Sequence, residues 1–171
     1  TVRDEWCLYM DETPLYLGHH GRQSTIDVRG VATVPINASG YDSTRMTVIL
    51  AYNRAGQKLT PMLVAKGETG DVEEVDGVDV VYSPKAWSTQ NVLHKWLERH
   101  LPRVARAAGT RSGARWAALT WDAAPSHRAK SMKKFLATRR IHQAMIPGGC
   151  TRLMQGLDIV CMRPFKAALT D

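Results

Sequence analysis

The stretch AALTWDAAPSH (residues 117–127) sets a short apolar run against a single carboxylate. Ala117, Ala118, Leu119 and Trp121 form the run, and Asp122 ends it. Small residues and a proline follow, and then His127. This is how a buried strand stops and a helix begins. A carboxylate taken out of water without a partner is costly, so Asp122 needs a turn amide, a basic side chain or a metal ion.

Working outward, SHRAKSMKKFLATRR (residues 126–140) predicts one helix with Ala129, Met132, Phe135 and Leu136 on its inner face. IHQAMI (141–146) predicts a strand and PGGCTRLMQG (147–156) an irregular loop. The segment Leu157 to Leu169 predicts a helix whose first turn holds Asp158, with a kink or late start at Pro164. Upstream, STQNVLHKWLERHLPRVARAAG (88–109) has helical apolar spacing, Ser88 or Thr89 to cap it, and Pro102 to kink or split it. GTRSG (109–113) reads as a basic loop.

The first half reads as β-structure. EWCLYMDE (5–12) predicts a central strand ending at Asp11, and TIDVRGVATV (25–34) a strand bent at Gly30. RMTVILAY (45–52) and LTPMLVA (59–65) predict a hairpin through NRAGQK, with Pro61 placing the latter near a sheet edge. KGETGDVEEVDG (66–77) reads as a surface loop and VDVVY (78–82) as a short strand. A meander followed by alternating strands and helices predicts an α/β chain with a mixed sheet flanked by helices, the element order of a ribonuclease-H-like fold.

If the strands ending at Asp11 and Asp122 lie parallel and adjacent, the two acids meet where open α/β sheets bind ligands. Asp158 joins them if the last helix crosses the sheet. Three crowded carboxylates repel unless cations intervene, and hard oxygens select Mg²⁺ or Mn²⁺. Each acid also has a plainer reading: Asp11 a turn residue before Pro14, Asp122 an acceptor of turn amides, Asp158 a partner of a helix dipole. Glu12 points to the strand's other face and so does not share a metal with Asp11.

The 171 residues suffice for one domain, residues 1–171, and 44% hydrophobic with 23% charged residues is a globular composition. No apolar run reaches the roughly 20 residues of a membrane-spanning helix, so no membrane partner is expected. Three cysteines without a C-x-x-C pair point to an intracellular, reducing compartment. His19 and His20 lack cysteine neighbours and make a poor zinc site. Thr1 and the lack of a secretory signal read as a fragment or trimmed chain. The net charge of +7 favours a polyanionic partner.

MDETPLYL (10–17), RMTVILAYNRAGQKLTPMLVAKG (45–67), KAWSTQNVLHKWL (85–97), TWDAAPSH (120–127) and IPGGCTRLMQGLDIVCMRPFK (146–166) together resemble the DDE/D endonuclease domain of pogo- and Tigger-like transposases, a class that also gave rise to jerky-like host proteins. The resemblance implies a ribonuclease-H-like fold and a catalytic, metal-binding triad of Asp11, Asp122 and Asp158 holding two Mg²⁺ or Mn²⁺ ions. It implies hydrolysis of a DNA phosphodiester and then attack of the freed 3′-hydroxyl on target DNA. It also implies action in the nucleus, compatibility with a homodimer in a transposition complex, and upstream helix-turn-helix modules that lie outside this chain. The family usually reads Gln-Pro-Leu-Asp before the third acid, whereas Gly156 stands here in the proline's place. Glycine loosens the backbone, which keeps open a domesticated DNA- or chromatin-binding protein with the fold but no turnover. A ribonuclease acting on RNA–DNA hybrids is a third reading.

Around the triad, His127 reads either as a donor to the metal ligands or a phosphate, or as a packed turn residue. Gln155 and Thr151 can orient Asp158 or DNA. Arg128, Lys130, Lys133 and Lys134, with Arg152 and also Arg111, Arg115, Arg139 and Arg140, form a candidate phosphate track or simply a solvated helix face. Trp87, Trp96 and Phe135 read as core.

Overall fold

The computed structural model describes residues 4–16, 44–107, 117–150, 156–157 and 161–168. The strand expected over residues 25–34, the basic loop over 109–113 and most of the loop-and-helix segment carrying Asp158 lie outside the described residues.

Seven strands form one mixed sheet: β1 (Cys7–Tyr16), β2 (Arg45–Asn53), β3 (Met62–Lys66), β4 (Glu73–Val75), β5 (Val78–Ser83), β6 (Ala117–Asp122) and β7 (Ile141–Ile146), in the order β4-β5-β3-β2-β1-β6-β7. β2 and β3 form the antiparallel hairpin read from the sequence, β1 pairs antiparallel with β2 on the other side, and β6 and β7 add to β1 in parallel. The helices are α1 (Gln90–Ala107), α2 (Pro125–Arg128), α3 (Lys130–Thr138) and α4 (Met162–Ala168). The architecture is the ribonuclease-H-like mixed sheet flanked by helices.

Side chains alternate across β1, and that alternation builds two faces. Leu8 and Met10 face the core shared with Val92, Leu93, Trp96 and Leu97 of α1 and with Met132 and Leu136 of α3. Tyr9 lies on the other face, stacked on Tyr52 at 5.1 Å and 15°. Thr89 caps α1: its Oγ1 accepts the Val92 N–H at 3.4 Å.

Five expectations are corrected. β1 does not end at Asp11 but runs on to Tyr16. β6 stops level with Asp11, so beyond it β1 has no strand on that side among the described residues, and Pro14 is tolerated there as on an edge strand. Pro61 marks no edge, since it precedes β3, a strand flanked by β2 and β5. The acidic loop contains β4, closed onto β5 by Asp76 and Gly77, both at positive φ (47° and 80°), as a two-residue hairpin turn demands. Pro102 does not split α1, which is one helix from Gln90 to Ala107. The helix after Asp122 is broken at Ala129, extended at φ −58° and ψ 140°, and this break separates α2 from α3.

Candidate active site at the end of β6

The parallel register Cys7↔Ala118, Leu8↔Leu119, Tyr9↔Thr120, carried forward, levels Asp11 with Asp122. By alternation both start from the Tyr9 face, whereas Glu12 and Trp121 belong to the Leu8 face. Asp11 is buried, at 8% exposure. Asp122 is half-buried and closes its strand.

Asp122 has two partners. The Ala124 N–H donates to Oδ1 at 3.1 Å, the turn amide anticipated from the sequence. His127 Nδ1 approaches the same oxygen at 2.8 Å. Neither contact uses Oδ2. His127 is fully buried and stacks on Trp121 at 4.0 Å and 3°. Its Nε2 reaches Glu12 Oε1 at 3.2 Å, and Ser88 Oγ donates to that oxygen at 2.7 Å. Gln143 Nε2 donates to the His127 carbonyl at 2.7 Å, so that carbonyl is engaged by β7 just where α2 gives way to α3. The four-residue helix α2 serves to deliver this one imidazole.

Burial opposes charge on His127, yet its hydrogen bonds to Asp122 and Glu12 prevail and push its pKa up to about 10. The hydrogen bond from His127 holds the Asp122 carboxyl below its ordinary value, against desolvation and with help from the Ala124 amide. Glu12, Asp122 and His127 each offer one ligand atom within a 4.8 Å cluster. Both ring nitrogens of His127 face carboxylates, Nδ1 that of Asp122 and Nε2 that of Glu12. The ring is a charged clamp between two carboxylates. Carboxylate oxygens such as those of Glu12 and Asp122 in this cluster suit a hard cation.

Among the sequence-derived candidates, the fold therefore levels Asp11 with Asp122 and ties His127 to Asp122. Asp158, Gln155, Thr151 and Arg152 lie outside the described residues. Arg128, Lys130, Lys133 and Lys134 are exposed on α2 and α3. Arg139 is engaged with Glu98 at 2.7 Å and lies over the Phe135 ring. The residue missed is Glu12. Its signal was the same alternation that separates it from Asp11: the opposite face of β1 is the one on which Trp121 carries His127.

Gly156 lies against Tyr52. A Cβ built there would overlap the Tyr52 hydroxyl, whereas the next atom, Cζ, lies at 3.6 Å. The glycine admits Tyr52, which brings the approach to Asp158 against the Tyr9 and Asp11 face. Gly156→Ala is expected to cost about 1–2 kcal/mol through this overlap, and adding Tyr52→Phe should restore most of it. Thermal melts of the single and double variants check this; a Gly156→Ala chain as stable as wild type contradicts it.

The DDE superfamily endonuclease model matches residues 43–170. The chain is 26% identical over 157 residues to the "Pogo transposable element with KRAB domain" of Mus musculus and, equally, to that of Homo sapiens. These alignments cover 91% of the chain and 25% of each relative, so the chain spans about a quarter of their length. Among solved structures, the crystal structure of the Mos1 mariner paired end complex with Mn superposes with a TM-score of 0.64 at 14% identity, covering 98% of this chain and 43% of that one. The Mos1 transposase paired-end complex with left transposon end gives 0.50 at 14% identity, covering 82% and 35%. At such identities the likeness is one of fold.

Proposed function

The chain belongs to the DDE superfamily endonuclease family, and from that premise we propose that it is the metal-dependent DNA cleavage and strand-transfer domain of a pogo-like transposase. Asp11, Asp122 and Asp158 would hold two Mg²⁺ or Mn²⁺ ions. Bound there, such ions supply Lewis acidity for phosphodiester cleavage, favouring ionisation of the attacking water or 3′-hydroxyl and stabilising charge on the leaving oxygen.

The chain's own residues do the positioning. His127 fixes Oδ1 of Asp122, so the carboxylate keeps one orientation and presents Oδ2 outward. Glu12 engages the imidazole's other nitrogen and lies within the same cluster as Asp122. Thr151 and Gln155 orient Asp158 or the DNA. Arg128, Lys130, Lys133, Lys134 and Arg152 contact phosphates, giving affinity with little sequence preference. The partner is DNA, engaged as a homodimer in the nucleus. Among the described residues no helix is long and apolar enough to cross a membrane.

The observation that carries this reading is the parallel pairing of β1 with β6, whose register levels two carboxylates at one end of a buried strand. The test is nicking of supercoiled DNA by this chain with Mg²⁺, Mn²⁺ or EDTA, beside a calorimetric Mn²⁺ titration. Nicking confined to the metal-containing samples is expected. Equal nicking in EDTA, or no heat of Mn²⁺ binding, overturns the reading.

A further inference from the structure

Trp87, read from the sequence as core, is 53% exposed, while Trp96 and Trp121 are fully buried. Leaving an indole in water forfeits burial that a Trp side chain would otherwise gain. Yet its loop is held firmly. Ser83 Oγ accepts the Trp87 N–H and donates to the Trp87 carbonyl, both at 3.0 Å. The preceding Ala86 is buried at φ 53°, a strained conformation for a residue with a side chain, and its carbonyl accepts Thr47 Oγ1 at 2.8 Å. The fold thus presents the indole outward on a fixed support.

Two cations attend it: Arg45 Cζ lies 5.5 Å and Lys85 Nζ 5.8 Å from the ring centroid. Arg45 Nε is buried without a hydrogen-bond partner among the described residues. The ring borders a cavity of about 210 Å³ lined by Glu12, Pro14, Arg45, Thr47, Trp87 and Ser88. That is below the roughly 300–1,000 Å³ of pockets that enclose a drug-sized ligand, and it suits a single planar ring. Glu12 also lines the cavity, but its Oε1 is already engaged by Ser88 Oγ at 2.7 Å and His127 Nε2 at 3.2 Å. A Glu12 carboxylate oxygen also lies within 4.8 Å of one from Asp122, so the cavity adjoins the proposed cleavage site.

An exposed aromatic face flanked by guanidinium and ammonium groups is the chemistry that recognises unpaired bases; a duplex backbone needs only the cations. We propose that Trp87 stacks an unpaired nucleobase of the DNA beside the cleavage site, with Arg45 and Lys85 moving to the flanking phosphates. This rests on the reading of the chain as a DNA-acting domain.

The test uses fluorescence anisotropy without divalent metal, at about 0.15 M salt, with a labelled thymidine oligonucleotide and a fully paired hairpin. Trp87→Ala should weaken oligonucleotide binding by roughly tenfold or more and hairpin binding by less than about twofold. Trp87→Phe, which keeps an aromatic face, should retain most of the oligonucleotide affinity. An abasic oligonucleotide should bind wild type and Trp87→Ala alike. Equal loss on both probes, no loss on either, or discrimination that persists with the abasic probe overturns the stack. A wild-type chain that nicks DNA but ignores Trp87 in these titrations overturns the stack alone; one that neither nicks nor binds either probe overturns the DNA reading beneath it.

Discussion

Asp122→Asn is expected to abolish metal-dependent nicking, a loss of about 4 kcal/mol in barrier lowering or roughly 10³-fold in rate. The side chain keeps its shape, so its oxygen can still accept from Ala124 and His127, the two contacts that wild-type Oδ1 makes. That orientation turns the new amide NH₂ to where Oδ2 stood. The substitution therefore removes a negative charge and replaces an acceptor with a donor at the atom proposed to face the cation. DNA affinity should stay within about threefold of wild type, because phosphate contacts come from the basic residues rather than from the acids. Plasmid nicking with Mn²⁺, beside anisotropy on the same preparations, separates the two effects. A variant that cleaves like wild type would leave Asp122 as no more than an acceptor for its turn.

Much of this site was legible in residues 117–127, because the end of a buried run fixes where Asp122 must sit and the small residues after it fix a tight turn. The hairpin of β2 and β3 and the strand after the long helix were legible from apolar runs alone. What escaped the sequence depends on neighbours. Pro14 reads as a turn until β6 is known to stop level with Asp11, leaving β1 with no strand on that side among the described residues. β4 is three exposed residues, Glu73, Glu74 and Val75, with no apolar alternation to betray it; only the Asp-Gly pair marks its hairpin. The break at Ala129 has no glycine or proline to announce it and accompanies contacts from β6 and β7. Trp87 escaped because hydrophobicity cannot distinguish an indole that packs from one that is displayed. Glu12 was excluded for a sound reason, its opposite face, but what occupies that face becomes visible only when Trp121 carries His127 across to it.

His127→Ala should be the most damaging substitution for stability, at about 3 kcal/mol, or a fall in Tm of roughly 6–12 °C for a domain of this size. Removing the ring takes a fully buried cation from between Glu12 and Asp122 and strips one face of Trp121 of its stack. The two carboxylates then lose the charge that reconciles them. Glu12 is 16% exposed and feels this strongly, whereas Asp122, at 36%, recovers part of the cost from water. Glu12→Gln alone should cost about 1 kcal/mol, and in the double variant the losses should fall short of their sum, since both singles break the same contact. Nicking should fall in His127→Ala even well below its Tm, because Oδ1 of Asp122 is then held by the Ala124 N–H alone and the carboxylate turns more freely about its last bond. Denaturant titrations of the four chains, with Mn²⁺-dependent nicking at a temperature where all are folded, check both halves. A loss below about 1 kcal/mol, or additive behaviour in the cycle, would mean that the imidazole packs against Trp121 without acting as the clamp.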